Sequence, residues 1–352
     1  MVVLEERLCI YLAKKINSER TISGLIHILK GKKSAQSVQD ANVFGIEQFY
    51  SLFPSDYIDL IKKTYKILEI NNVLLINDNY INLNNLNFND KIIEDELWYK
   101  LLSTKFSNEN AKVFWRRLNL LVQVSSNFFN KVNEYYPVTN DKATQKYIKY
   151  VLTFLNDIKK ENISTHIHNE LITALKDLPD NYNMIFVKKL TGSKIYGESL
   201  YQIASETNKD EIEVHLVFMS VIHHLMIKCS TSKDSFPVLN FLLKDLGSQN
   251  KLTKSSYETK NLLSQGFEID LISKIRKLKI NTIEDHIIEI AHQDKDFNIS
   301  KFIDTSTTQK IFVAIKSANS LKLKEIKKYL PNEITYFQIR LVLARKEDST
   351  WN

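Results

Sequence analysis

Apolar residues recur along this chain at three- and four-residue spacing almost throughout, and at two-residue spacing in one short stretch. The first spacing predicts amphipathic helices and the second a strand pair. Leu4, Leu8, Tyr11 and Leu12 mark a first helix. Thr21 to Leu29 predicts a second, closed by Gly31, Ser34 to Val43 a third, and Ile46 to Phe53 a fourth, stopped by Pro54. Ser55 opens a longer helix with Tyr57, Leu60, Ile61, Tyr65 and Leu68 on its apolar side. The period then shortens: Val73 to Ile76 and Tyr80 to Leu83, joined by Asn77-Asp78-Asn79, predict a β-hairpin with a polar turn. Helices followed by one hairpin is the order of a winged helix, so residues 1–90 are expected to form a winged-helix-like domain with the hairpin as its wing.

Residues 91–246 carry helical spacing only and are expected to form an all-helical middle domain. Its stripes include Trp98, Leu101 and Leu102, then Phe114, Trp115, Leu118, Leu121 and Val122. Further helices are predicted over Tyr147 to Ile158, over Ile163 to Leu178, and over Val238 to Leu246. Within 196–226, a helix over Gly197 to Ala204 and a second one capped by Asp210 form a possible helix-turn-helix. Residues 247–256 lack apolar periodicity and are rich in small polar residues, which predicts a linker.

The last module, 257–346, has two halves. Tyr257 to Gln265, closed by Gly266, and Ile269 to Leu278 predict two short helices. Asn281, with Glu284 three residues on, suits a capping box at the start of a third, whose Ile283, Ile287 and Ile290 share a face. Thr307 to Lys316, Leu321 to Leu330 and Ile334 to Arg345 repeat the pattern, so the module is expected to be a tandem helix-turn-helix, followed by a short polar tail from Lys346. The fold class expected is mostly α.

Composition narrows the chemistry. Only seven Gly and five Pro occur in 352 residues, where average usage would give about 25 Gly. That argues against turn-rich sandwiches and Gly-rich phosphate loops. Gly24 and Gly31-Lys32-Lys33-Ser34 bracket six residues where a phosphate loop has four, and those six read as helix. Two cysteines, Cys9 and Cys229, build no disulfide framework, which suits a reducing cytoplasm. Glu5 and Glu6 stand where a signal peptide carries positive charge, and no apolar run approaches the roughly 20 residues of a bilayer span. No membrane contact is therefore expected.

No histidine or cysteine spacing suits zinc, and no nucleophile–base arrangement stands out, so neither metal nor cofactor is expected and the chain reads as non-enzymatic. His223 and His224 fall on an apolar helix and read as core or interface. Phe114-Trp115-Arg116-Arg117 mixes rings with cations, a pairing that suits phosphate or an acidic partner but equally a core edge with surface arginines.

Net charge is +7. From Lys251 to Asn352 there are 18 Lys or Arg against 13 Asp or Glu, so most of the excess sits in the last module. A basic excess suits a polyanion. The DNA-binding candidates are Arg276, Lys277, Lys279, Asn281 and Thr282 at the leading edge of the third helix, Lys322, Lys324, Lys327 and Lys328 in the second half, and Lys30, Lys32 and Lys33 near the start of the chain. Asp285 and Glu289 oppose phosphates, and Ile288 projects outward on this helix, a combination that favours protein docking. Asp285, Ile288, Glu289, Tyr336 and Arg340 are the partner-binding candidates. Docking on protein and docking on DNA both stay open for this helix.

The run Gly266-Phe267-Glu268 to Thr282-Ile283-Glu284-Asp285-His286-Ile287, with Leu323 to Pro331 and Ile334 to Ala344, resembles the helicase helix-turn-helix domain at the C-terminus of many RecQ-type DNA helicases. The domain also occurs in a stand-alone firmicute family, the YpbB-like proteins, which accompany a short RecQ-type helicase. Lys30-Gly31-Lys32-Lys33-Ser34-Ala35-Gln36-Ser37 and the helical middle resemble the rest of that family. The sequence shows no phosphate loop, no Asp-Glu-x-His box and no cysteine-rich zinc subdomain. The resemblance implies an accessory chain that supplies protein- and DNA-binding modules to a helicase on another polypeptide, in repair or recombination. A stand-alone DNA-binding regulator and a scaffold without nucleic-acid contact are the alternatives.

Overall fold

The computed structural model describes residues 3–83, 88–155, 160–246 and 252–345. The elements run α1 (Leu4–Ile16), α2 (Ile22–Lys30), α3 (Ala35–Val43), α4 (Ser55–Ile70), β1 (Leu74–Asn77), β2 (Tyr80–Leu83), α5 (Lys91–Glu94), α6 (Leu97–Leu101), α7 (Asn108–Phe129) and α8 (Lys142–Phe154). They continue with α9 (Lys160–Leu175), α10 (Asp180–Lys188), α11 (Leu200–Thr207), α12 (Glu211–Thr231), α13 (Pro237–Phe241), α14 (Lys254–Ser264), α15 (Ile269–Arg276), α16 (Ile280–Gln293), α17 (Thr305–Ala318), α18 (Leu323–Lys327) and α19 (Tyr336–Ala344). The protein is mostly helical, and the antiparallel β1–β2 hairpin is the only sheet among the described residues.

Many ends form where the side chains dictate. Thr21 accepts from Gly24 N–H at the start of α2, and Gly31 closes it at φ 71°. Ser34 caps α3, and Ser199 with Gln202 forms a full capping box on α11. The hairpin pairs Leu74 with Leu83 and Asn77 with Tyr80. Asp78 and Asn79 both take positive φ, as a two-residue turn matched to strand twist requires. Several expectations change here. The helix expected over Tyr147 to Ile158 begins at Lys142, that over Val238 to Leu246 ends at Phe241, and that over Leu321 to Leu330 is confined to Leu323–Lys327. The helix predicted over Ile46 to Phe53 is a 3-10 turn, Glu47–Phe49, because Ser51 takes a left-handed φ of 59° before Pro54. In the predicted linker, 247–251 lie outside the described residues, while Thr253 caps α14 and Lys254 already begins it.

The chain forms two compact units that cut across sequence order. Unit 1 comprises Met1–Tyr11, Ser51–Ile70 and Leu86–Gln249; unit 2 comprises Leu12–Tyr50, Asn71–Asn85 and Asn250–Asn352. The first 90 residues thus divide between both units, with α4 in unit 1 and α2, α3 and the hairpin in unit 2.

Unit 1 is built around α12, which packs on α6, α7, α9, α10 and α11. Ile212, Leu216, Val221, Ile222, Leu225 and Met226 are fully buried. Contrary to the sequence expectation, this 21-residue helix is long and apolar enough, by length and composition, to cross a membrane; 78% of its apolar window is covered by the protein itself. Its histidines serve the packing. His215 Nε2 meets Leu52 O at 3.1 Å, His223 Nε2 meets Asn108 Oδ1 at 2.9 Å, and His224 Nε2 meets Ala174 O at 2.9 Å.

Unit 2 is centred on Ile272, Ile283, Ile287, Ile288, Ile311, Ile326, Ile339 and Leu341, with Val43 of α3 packed against them. Each such side chain contributes roughly 1.5–3 kcal/mol on burial. β2 meets the start of α2 through a Thr21–Tyr80 bridge and the Ile22 N–H bond to Asn79 O.

Candidate nucleic-acid interface

The helices α14, α15 and α16 form the three-helix unit expected from the sequence, but α16 begins differently. Lys277 takes a left-handed φ of 53° and Leu278 N–H closes on Ser273 O at 3.0 Å. That tight joint lets the chain re-enter helix at Ile280, with Lys279 at the cap position and no side-chain cap bond. Asn281 therefore lies inside the first turn, exposed, and the capping box with Glu284 does not form.

The helix expected to present a reading edge is the hub of unit 2. It packs against α14, α15, α19 and α3. Ile288, expected outside, is 2% exposed. The periodicity of α16 marks one apolar stripe, and α3 and α19 cover a further side of the helix.

The polar residues around α16 are likewise engaged. Glu289 accepts from Thr253 N–H and Oγ1 and from Ser256 Oγ at 2.6 Å. A carboxylate is thereby set at the N-terminus of α14, where unpaired N–H groups and the helix dipole favour it. Asp285 pairs with Arg340 Nη1 at 2.6 Å, and Arg340 Nε donates to Gln39 Oε1 of α3 at 3.0 Å while Gln39 Nε2 donates to Arg340 O at 3.2 Å. Asp285, Ile288, Glu289 and Arg340 therefore join elements within the unit, with Ile288 fully enclosed and Asp285 and Glu289 part-exposed. Tyr336 is half exposed at the start of α19.

Among the DNA-binding candidates, Arg276 is withdrawn. Its guanidinium donates to Ser255 O at 2.6 Å, Ser255 Oγ at 2.9 Å, Glu258 at 2.9 Å and Thr259 Oγ1. It also lies 3.2 Å from His286 Nδ1, and burial together with this cation lowers the His286 pKa. Lys327 ties the α18–α19 turn through Pro331 O at 2.7 Å and Ile334 O at 2.5 Å, and Lys328 pairs with Glu325 at 2.5 Å. Lys322 sits 4.8 Å over the Tyr80 ring. Lys277, Lys279 and Asn281 are exposed together at the α15–α16 joint, with Thr282 half-buried beside them. Lys324 is exposed on α18, and Lys30, Lys32 and Lys33 at the turn after α2. The Phe114–Arg117 motif belongs to the packing of unit 1: Phe114 is buried, Arg116 pairs with Asp141 at 3.7 Å, and Arg117 grips Asp245 at 2.5 and 2.8 Å.

What the geometry offers is a packed helical module with exposed cations at the α15–α16 joint, on α18 and at the end of α2. Cations so placed suit phosphate contact, which positions a nucleic acid without reading sequence. Among the described residues no group of three or more His, Cys, Asp or Glu is placed to hold a metal ion.

Comparison with known proteins agrees with this organisation. A family model described as a helix-turn-helix domain matches residues 255–343, which run from the first turn of α14 into the last turn of α19. Over 336 residues, 94% of this chain and 94% of the relative, the sequence is 30% identical to Protein YpbB of Bacillus subtilis (strain 168). No solved structure matches the chain.

Proposed function

The chain belongs to the YpbB family, and on that premise we propose that it is a non-catalytic accessory subunit of a RecQ-type DNA helicase. It acts in the cytoplasm, on the nucleoid when bound to DNA, in repair or recombination. The matched helix-turn-helix domain and its basic excess support a DNA-related role. The likeness of that domain to the C-terminal module of RecQ-type helicases supports the choice of partner.

The observation that carries the reading is the burial of α16. A sequence-reading regulator lays an exposed helix face along base edges in the major groove. Here that helix is the core; its exposed residues lie in its first turn, with Lys277 and Lys279 beside it, and Asp285, part-exposed beyond that turn, is held by Arg340. Phosphate-directed lysines tethered to a motor raise the local concentration of both partners on DNA without selecting a sequence.

Co-purification with the RecQ-type helicase of the same cell, with and without nuclease, tests the complex, and duplex unwinding with and without this chain tests its use. The expected results are nuclease-resistant capture and faster unwinding at low salt, a gain that fades as salt rises. No complex and no change in unwinding defeat the proposal. Tight binding to one duplex that Asn281→Ala relaxes would instead establish the regulator.

A further inference from the structure

Unit 1 carries an exposed face that the proposed function leaves unused. α8 contains three lysines, Lys142, Lys146 and Lys149, and no acidic residue. Its buried stripe is Thr144, Ile148 and Val151. Tyr147, Tyr150 and Phe154 form a second stripe at i, i+3 and i+7. Lys146 and Lys149 each precede a ring by one residue, which sets them about 100° round the same helix. Both are exposed, and neither makes an ion pair among the described residues.

The rings continue onto α13. Tyr150 and Phe154 meet edge-on with centroids 4.6 Å apart, and Phe154 lies 5.9 Å from Phe241. Lys244 Nζ sits 5.5 Å from the Phe154 centroid and 5.9 Å from that of Phe241. The inner end of the row is fixed: Tyr147 OH donates to Phe241 O at 2.6 Å, and the Arg117 guanidinium lies 3.5 Å from the Tyr147 centroid. The outer end is open, with Tyr150 at 46% and Phe154 at 50% exposure.

Isolated surface rings are ordinary, but a row of them lined with free cations has a specific complement. Lysine is depleted at the centre of protein–protein contacts. A lipid surface calls for a broad apolar face sunk among the acyl chains, and the aliphatic side of α8 is turned inward, which leaves only a narrow stripe of rings outside. Duplex bases are stacked within the helix and withhold their faces, whereas unpaired bases offer a ring face and a phosphate at each step. We propose that the α8–α13 face binds single-stranded nucleic acid, with bases stacked on Tyr150, Phe154 and Phe241 and phosphates held by Lys146, Lys149 and Lys244. The surface belongs to the chain alone and needs no helicase.

Fluorescence anisotropy of the full chain tests this with labelled oligo-dT and oligo-rU of roughly 20 nucleotides and a duplex of equal length, in about 50 mM salt. At least one single strand should bind tenfold or more tighter than the duplex, by order of magnitude (about 1.4 kcal/mol). Tyr150→Ala/Phe154→Ala should weaken it by about tenfold or more. Tyr150→Leu/Phe154→Leu, which keeps apolar bulk and folding but removes the π-faces, should do the same. Lys149→Glu/Lys244→Glu should lower the salt slope by about one per lysine. Equal affinity for duplex, failure of both single strands to bind, or full binding by the leucine variant overturns the inference. Binding that survives ring loss yet vanishes in Lys277→Glu/Lys279→Glu also overturns it, while leaving the DNA contact of the C-terminal module standing.

Discussion

The hubs of the two units, α12 and α16, are buried by different means. α12 is apolar nearly all round, and helices of its own stretch of chain, from α6 to α11, supply most of its cover, with Leu52, Phe53 and Tyr57 closing over His215. α16 is amphipathic, with exposed residues only in its first turn, and one of the helices covering it, α3, comes from the other end of the chain. The first kind of burial is written into the helix itself. The second depends on a distant partner, so a helix that looks half-free in sequence is enclosed in the fold.

A charge placed in each hub should have the largest effect. Ile288→Asp in α16 and Ile222→Asp in α12 should each cost more than about 4 kcal/mol, since each combines a lost core side chain with an unpaired buried carboxylate. Denaturation with hydrogen exchange resolving the two units would locate each loss. If Ile288→Asp left unit 2 folded and altered only partner binding, α16 would be a surface helix after all.

Acid should separate the hubs next. Burial pushes His215 and His223 of α12 down to about 4 from the usual 6.5. Between these values the unfolded chain binds protons that the folded unit refuses. The stabilisation is therefore complete above about pH 6.5 and is lost as pH falls toward 4, at roughly 3 kcal/mol per histidine. Unit 2 carries the smaller lowering at His286 and should lose less. Unfolding followed from pH 7 to 4 checks the order, and His215→Phe should flatten the profile of unit 1.

The cover over α16 is tested by Arg340→Ala. The side chain is 17% exposed and its partner Asp285 is 38% exposed, so solvent screening limits the loss to about 1–2 kcal/mol. The change should appear first as faster amide exchange in α3. The smallest effect on stability is expected at the α15–α16 joint, where Lys277→Glu/Lys279→Glu should stay within about 0.5 kcal/mol. Its readout is DNA: the salt slope of binding should fall by about one per lysine.

Much of the local structure was legible in the sequence because it is set within a few residues. Thr21, Ser34 and Gly31 bound their helices as their chemistry dictates, and the Asp78-Asn79 turn formed where the period changed. The stripe of Ile283, Ile287 and Ile290 is buried as its spacing implied. The candidate site was less legible. Arg276, Asp285, Glu289 and Arg340 have the composition of an interface, and their partners, Ser255, Thr253 and Gln39 among them, lie too far along the chain for spacing to reveal. The α8 face did leave a signal, a ring stripe beside a lysine stripe without acids, although only the meeting with Phe241 and Lys244 turns it into a continuous row.

By itself the sequence determined that this protein is helical, where several helices are capped or closed, and which family it belongs to, because caps, breakers and periodicity act over one or two turns. Tertiary structure alone decided that α2, α3 and the hairpin share a unit with the C-terminal helices, and that α16 belongs to the core of that unit. Burial is a property of what covers a surface, and the cover for this helix lies at the opposite end of the chain.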